Sequence, residues 1–169
     1  MAKKKYIFWI TGLPGSGKTT IAKKIHKRIE KKYGPTVEVS GDELRKKFSL
    51  NKYDIKNREE YAKFYSKFCK LLLKKNINII FSTVSLFHSV QNWNRKNIDG
   101  YFEIYIKSDV KKIIRLNKKK IYKNKKNLVG VNLNAEFPKK PDLKVLNLFN
   151  KNINELSNEI LKYIFKKLN

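Results

Sequence analysis

Apolar residues in this chain fall alternately into short unbroken runs and longer stretches with helical spacing. The short runs have the length and the β-branched and aromatic content of buried strands, and they cover 6–11, 36–40, 77–82, 101–106 and 143–146. Helical spacing predicts one helix that ends near residue 33 and others over about 42–48, 58–75, 88–96, 109–116 and 152–168. This alternation predicts an α/β fold with a mostly parallel sheet and helices on both faces. With 169 residues, the chain suits one domain.

The first predicted strand leads into a glycine-rich turn and then into a helix. Residues 12–19 fit G-x-x-x-x-G-K-[ST], the phosphate-binding P-loop, and the surrounding strand and helix are the context that this motif requires. Glycines let successive N–H groups turn inward, and the helix N-terminus adds a positive dipole end. Lys18 can then reach the β- and γ-phosphates of ATP, while the Thr19 hydroxyl can ligate Mg²⁺. The predicted ATP-binding residues are Gly12, Leu13, Pro14, Gly15, Ser16, Gly17, Lys18, Thr19 and Thr20.

Polar residues that follow the second and third strands are candidates for the same crevice, because parallel sheets bind ligands at the carboxyl ends of their strands. Asp42 can accept the proton of a substrate hydroxyl or hold a metal-bound water, and it can also cap the short helix that starts there. Arg45 lies one helical turn further on and points to the same side. Together with Arg58, it can grip the anionic group of a second substrate. Ser85 follows the third strand and is predicted to join them.

Composition changes this picture little. Lys and Arg number 40 against 14 Asp and Glu, which gives a formal charge of +26. The basic residues are spread through almost every segment, which favours a solvated surface that attracts anionic nucleotides over a dedicated nucleic-acid stripe. An ATP-gated RNA-binding module is the alternative from another class. The chain lacks the interleaved aromatics and glycines typical of RNA binders, so we consider nucleic acid an improbable partner.

The remaining sequence features concern location and mobility. Cys69 is the single cysteine, which excludes an intramolecular disulfide, and its apolar helical neighbours predict a small buried residue. The apolar run after the basic start ends at Ile10, too short for a signal peptide, and no later stretch has the length of a membrane span. A reducing, cytoplasmic setting and no membrane partner are expected. The polar stretch 118–127 predicts either a mobile lid over about 117–130 or an ordinary solvated loop.

Taken together, these motifs resemble the adenylylsulfate (APS) kinases, which transfer the ATP γ-phosphate to the ribose 3′-hydroxyl of APS. The resemblance spans roughly 6–147. It rests on the P-loop, Gly-Asp-Glu-Leu-Arg at 41–45, Arg58, Val-Ser-Leu-Phe at 84–87, Lys119 with Ile-Tyr at 121–122, Asn-Leu-Val-Gly-Val at 127–131 and Pro-Lys-Lys-Pro-Asp at 138–142. It implies a P-loop NTPase three-layer sandwich, with ATP and Mg²⁺ as cofactors and a small nucleotide as acceptor. Since the family often dimerises, a homodimer is a candidate assembly.

The resemblance also implies roles for single residues. Asp42 would be the base that faces the 3′-hydroxyl, and Lys18 would act with it as a catalytic residue. The substrate-binding residues that it implies are Arg45, Phe48, Tyr53, Arg58, Ser85, Lys119 and Leu128, of which Lys119 would close over the phosphates from the lid. Departures cluster on this acceptor side. Ser-Gly-Asp-Glu at 40–43 replaces the family's Asp-Gly-Asp-Asn, Tyr61 replaces an Asn, and Leu128 replaces one of two aromatics that sandwich adenine.

The acceptor is therefore predicted to differ from that of most of the family. The stretch 84–95 is similar to the branch encoded with surface-polysaccharide genes, which includes cytidine diphosphoramidate kinase. A smaller pyrimidine has less need of an adenine sandwich. The favoured prediction is a nucleotide 3′-hydroxyl kinase that acts on cytidine diphosphoramidate in capsule phosphoramidate synthesis. The alternative is APS kinase activity in sulfate activation. The activity of another small-molecule P-loop kinase would account less well for the residues found at 41–45 and 84–87.

Overall fold

The computed structural model describes residues 4–116, 129–131 and 133–168. Within these ranges lie five strands: β1 (Ile7–Gly12), β2 (Thr36–Ser40), β3 (Asn78–Thr83), β4 (Tyr101–Lys107) and β5 (Leu143–Leu146). The helices there are α1 (Lys18–Tyr33), α2 (Gly41–Lys47), α3 (Ile55–Lys74), α4 (His88–Asn97), α5 (Val110–Arg115) and α6 (Ile153–Lys167). The predicted alternation of strands and helices is confirmed.

The strands form one parallel sheet in the order β2-β3-β1-β4-β5. In its centre, Trp9 of β1 is paired with Phe81 of β3 on one side and with Glu103 of β4 on the other. The chain runs from β1 outward to the edge strand β2 and returns through β3, whereas β4 and β5 extend the sheet in the opposite direction. The strand order thus reverses at β1, and a ligand crevice is expected beyond the carboxyl ends at such a point.

Both faces of the sheet are covered, which explains why the strands read as continuous apolar runs rather than alternating ones. Phe8 and Ile10 point to the face covered by α1 and α6, and Ile7 and Trp9 point to the face covered by α3 and α4. Cys69 packs in this second layer and is fully buried, as predicted. Burial raises the pKa of its thiol strongly, so Cys69 is an inert core residue.

One boundary differs from the prediction in a way that bears on the site. The polar composition of 49–57 predicts a loop and the apolar spacing predicts that the long helix starts at Arg58, but α3 begins at Ile55. Asp54 caps it by accepting from the Asn57 N–H at 3.0 Å. The polar residues that suggested a loop are the capping turn itself. Arg58 consequently lies inside the first turn of α3 rather than at its start.

Candidate functional site

The P-loop folds as its sequence predicts. Gly17 caps α1 with a φ of 92°, and Gly15 has a φ of 79°, both in the region that glycine adopts without strain. Gly12 is required by close approach as well, because a Cβ there would lie 2.4 Å from the Ile106 carbonyl oxygen. The N-terminus of α1 therefore opens directly into a loop of backbone N–H groups. Such a loop is an anion site without further side chains.

The two side chains at the start of α1 are placed for phosphate and metal chemistry. Lys18 is buried, and its ammonium donates to the Leu13 carbonyl oxygen at 2.7 Å. The Thr19 hydroxyl lies 3.3 Å from the Ser82 hydroxyl at the end of β3. Two hydroxyl oxygens beside a phosphate loop, with the Asp42 carboxylate lining the same cavity, suit a hard cation such as Mg²⁺.

Two adjoining cavities open at this end of the sheet. The P-loop cavity, of about 480 Å³, contains Gly15, Lys18 and Thr19 in its wall. The arginine cavity, of about 460 Å³, lies between α2, α3 and the segment after β3, and Arg45 and Arg58 line it. Among the described residues, three line both cavities: Asp42, Thr83 and Val84. The two cavities therefore meet at these three residues.

Asp42 reaches this junction because another residue caps its helix. The sequence suggested Asp42 as a cap, but Ser40 performs that role by accepting from the Glu43 N–H at 3.1 Å. Gly41 brings α2 close to β3, since a Cβ on it would lie 2.9 Å from the Thr83 hydroxyl oxygen. The Asp42 carboxylate is exposed in the first turn of α2 and faces both cavities. It is the one carboxylate among the described residues that line the arginine cavity.

The arginine cavity holds a concentrated positive charge. The Arg45 guanidinium lies 4.2 Å from the centre of the Tyr53 ring, and that of Arg58 lies 5.4 Å from the same ring. Burial lowers the pKa of Arg58, and the neighbouring charge of Arg45 lowers it further. One nitrogen of Arg45, Nη2, is buried without a hydrogen-bond partner. A buried orphaned donor beside a second cation is the pattern that an anionic ligand would satisfy.

Tyrosines form much of the remaining wall. Tyr65 is buried, and its hydroxyl donates to the Gly41 carbonyl oxygen at 3.2 Å. Burial raises the pKa of Tyr65 to about 12, so this hydroxyl remains a neutral donor. Tyr61 accepts from the Lys52 N–H at 3.3 Å and lies 5.8 Å from the Arg45 guanidinium. In the sequence, Tyr61 is visible only as a departure from the family, and Tyr65 is indistinguishable from an ordinary apolar position of a helix.

The segment after β3 forms the opposite wall. Ser85 is buried, and its hydroxyl oxygen lies 2.8 Å from that of Thr83. Two hydrogen bonds connect residues 133–137 to this part of the chain. The Glu136 N–H donates to the Leu86 carbonyl oxygen at 3.1 Å, and the buried side-chain amide of Gln91 donates to the Glu136 carbonyl oxygen at 2.9 Å. Leu133 and Asn134 thereby complete the wall. These contacts join residues 45 and 50 positions apart, so the sequence gives no local signal for them.

The far wall of the P-loop cavity was also missed. Asn147, which follows β5, donates to the Ser16 carbonyl oxygen at 3.1 Å, and its own side-chain oxygen accepts from the Phe149 N–H at 3.0 Å. Phe149 has a φ of 62°, an uncommon conformation for a residue with a side chain, and it lines the cavity. The position of both residues after a parallel strand was a usable signal.

Among the described residues, the predicted site residues are therefore brought together with the exception of Phe48. All the P-loop residues, Asp42, Arg45, Tyr53, Arg58 and Ser85 lie at the two cavities or in the loop between them. Phe48 lines neither cavity and packs edge-on against Phe64, with ring centres 5.5 Å apart. Lys119 and Leu128 lie outside the described residues, as does most of the predicted lid. From that stretch, Val129 packs with Leu13 of the P-loop in a small apolar cluster.

A P-loop cavity, an adjoining cationic cavity and a carboxylate between them define a small-molecule kinase of the P-loop α/β class. A sequence model described as adenylylsulphate kinase matches residues 4–146. The chain belongs to this family of enzymes.

Three individual proteins show how similar this chain is to known kinases. The cytidine diphosphoramidate kinase of Campylobacter jejuni is 35% identical over 167 residues, which cover 96% of this chain and 98% of that protein. The adenylyl-sulfate kinase of Thermodesulfovibrio yellowstonii is 30% identical over 98% of this chain and 86% of its own length. The solved APS kinase of Mycobacterium tuberculosis in complex with AMPPNP and APS has the same fold, with a TM-score of 0.82 at 22% identity over 96% of this chain and 98% of that chain. None of the helices in the described ranges is long and apolar enough to span a membrane.

Proposed function

We propose that this kinase transfers the γ-phosphate of ATP to the ribose 3′-hydroxyl of cytidine diphosphoramidate. The observation that carries the proposal is the arginine cavity beside the P-loop. Asp42 lines this cavity together with Arg45 and Arg58, and one nitrogen of the Arg45 guanidinium is buried without a hydrogen-bond partner. The similarity to the Campylobacter jejuni kinase over nearly the whole of both chains supports this acceptor. A pyrimidine diphosphate derivative combines a compact base with the anionic group that the arginines require.

The chemistry follows from the placement of the side chains. ATP lies in the P-loop cavity with its terminal phosphates against the loop N–H groups, and Lys18 exchanges the Leu13 carbonyl for a phosphate oxygen. Thr19 would hold Mg²⁺, which neutralises phosphate charge when bound. Arg45 and Arg58 hold the anionic end of the acceptor so that its 3′-hydroxyl faces Asp42.

Asp42 then removes the proton as the hydroxyl attacks. A bond forms between the 3′-oxygen and the γ-phosphorus, and the bond between that phosphorus and the β–γ bridging oxygen breaks. ADP leaves with the electron pair, and the proton stays on Asp42 until it passes to solvent. The protein supplies positioning and charge rather than a covalent intermediate, which is what phosphoryl transfer of this type requires.

APS is the second candidate acceptor. It is favoured by the family match and by the 30% identity to the Thermodesulfovibrio yellowstonii adenylyl-sulfate kinase. APS also presents an anionic group that Arg45 and Arg58 could hold. Against it stands Tyr61, which lines the arginine cavity at a position where the family has an Asn, so the acceptor side of this site departs from that of the APS kinases.

The proposal is tested by measuring ADP release with Mg-ATP and a panel of acceptors: cytidine diphosphoramidate, APS, CMP, AMP and a short RNA. We expect the highest kcat/KM for cytidine diphosphoramidate and weak turnover of CMP, which lacks the terminal anionic group. Faster turnover of APS would contradict the proposed acceptor and assign the enzyme to sulfate activation. If no nucleotide in the panel stimulated ADP release and the protein bound RNA with a steep salt dependence, the result would instead favour a nucleic-acid-binding protein.

A further inference from the structure

The junction of the two cavities contains a polar side chain with no role in the chemistry above. Asp42, Thr83 and Val84 line both cavities among the described residues, and Val84 offers no polar atom. Thr83 is the last residue of β3 and is almost fully buried. Thr83 therefore places a hydroxyl-bearing side chain where the two cavities meet.

The Thr83 hydroxyl is engaged with Ser85 by two contacts. Its oxygen lies 2.8 Å from the Ser85 hydroxyl oxygen and accepts from the Ser85 N–H at 3.3 Å. When the Thr83 oxygen accepts from that N–H, its own hydrogen can be donated to the Ser85 oxygen. The Ser85 hydrogen is then left to donate to another group. Ser85 lines the arginine cavity, where a nucleotide bound as proposed above would offer oxygen atoms to receive this hydrogen.

We propose that Thr83 is a positioning residue for phosphoryl transfer, which acts by fixing the direction of the Ser85 hydroxyl at the junction of the two cavities. The ligand class is an anionic or hydroxyl oxygen of the acceptor nucleotide, and in this respect the inference rests on the proposed function. Gly41 supports the arrangement, because its missing side chain lets the Thr83 hydroxyl pack against the start of α2 beside Asp42. Thr83 thus connects α2, which carries Asp42, to the segment after β3, which carries Ser85.

The test compares Thr83→Val, which keeps the branched shape and removes the hydroxyl, with Thr83→Ser, which keeps the hydroxyl. We expect Thr83→Val to lower kcat/KM for the acceptor by about tenfold, the scale of one lost buried hydrogen bond, with ATP affinity unchanged. Thr83→Ser should restore most of the activity. Wild-type turnover by Thr83→Val, or failure of Thr83→Ser to restore it, would overturn the proposal.

A double-substitution cycle with Ser85→Ala tests whether Thr83 acts through Ser85. If it does, the double variant is no worse than either single variant, whereas independent roles would multiply the two losses. Thr11→Val is the matched control. Thr11 pairs with Thr83 in the neighbouring strand, its hydroxyl is buried without a hydrogen-bond partner, and it lines neither cavity. The Thr11→Val variant should have the same kcat/KM for the acceptor and the same ATP affinity as the wild-type enzyme.

One readout does not depend on the identity of the acceptor. Hydrogen exchange of the Ser85 amide should quicken in Thr83→Val and return to the wild-type rate in Thr83→Ser, because Thr83 accepts from this amide. If the wild-type enzyme phosphorylates none of the nucleotides offered, the proposed function fails. The exchange rates still decide whether Thr83 fixes the Ser85 segment, and unchanged exchange in Thr83→Val would refute that.

Discussion

The two cavities that meet at Asp42 are built in different ways. The phosphate-binding part of the P-loop cavity is formed by consecutive residues, in which glycines with positive φ and the first turn of α1 provide backbone donors. The arginine cavity is assembled from side chains of α2, α3, the segment after β3 and residues 133–134. Backbone donors bind the phosphates that every nucleoside triphosphate shares, whereas side chains can be replaced one at a time. The comparison explains how a family can keep its phosphate donor and change its acceptor.

The largest effect should come from the residue that the two cavities share. Asp42→Asn keeps the shape of the side chain but removes the base, so we expect kcat to fall by roughly 10²-fold or more while ATP affinity is retained. Steady-state ADP release and ATP titration measure the two quantities. Glu43→Gln is the control, since Glu43 occupies the same turn of α2 and lines neither cavity. Unchanged turnover by Asp42→Asn would remove Asp42 from the chemistry.

A smaller effect, confined to one cavity, is expected from Arg45→Gln. Loss of a charge-assisted contact should raise the KM for the acceptor by about tenfold and leave the KM for ATP within about twofold. Lys47→Gln makes the same change of charge on the exposed side of α2, away from both cavities, and should change neither value. An equal rise in both KM values for Arg45→Gln would show that the two cavities do not bind their ligands independently.

The smallest effect concerns backbone strain in the P-loop cavity. Phe149→Gly and Phe149→Ala both remove the ring, but only glycine accepts a φ of 62° without strain. The Gly variant should therefore be more stable than the Ala variant by about 1 kcal/mol in urea unfolding, despite its greater freedom in the unfolded chain. If the Ala variant were the more stable one, the turn after Asn147 would not be strained.

The sequence predicted the parts of the site that are local. The P-loop, Asp42 and the two arginines could be read from motifs and from the rule that parallel strands present ligand residues at their carboxyl ends. Asn147 and Tyr65 were missed because their roles depend on contacts with Ser16 and Gly41, which are 131 and 24 positions away in the chain. The predicted start of α3 at Arg58 was wrong because a capping turn and a loop have the same polar composition. Assignments on the undescribed residues, Lys119 and Leu128, stay predictions, as do the lid and the homodimer.

The central claim is the transfer of phosphate to the 3′-hydroxyl of cytidine diphosphoramidate, and product analysis tests it most directly. Wild-type enzyme, Mg-ATP and cytidine diphosphoramidate would be incubated and the product followed by ³¹P NMR. We predict one new phosphomonoester signal per ADP released, coupled to the 3′-hydrogen of the ribose, and no such signal with Asp42→Asn. A phosphomonoester at another position, or no new ester while APS is phosphorylated under the same conditions, would contradict the account.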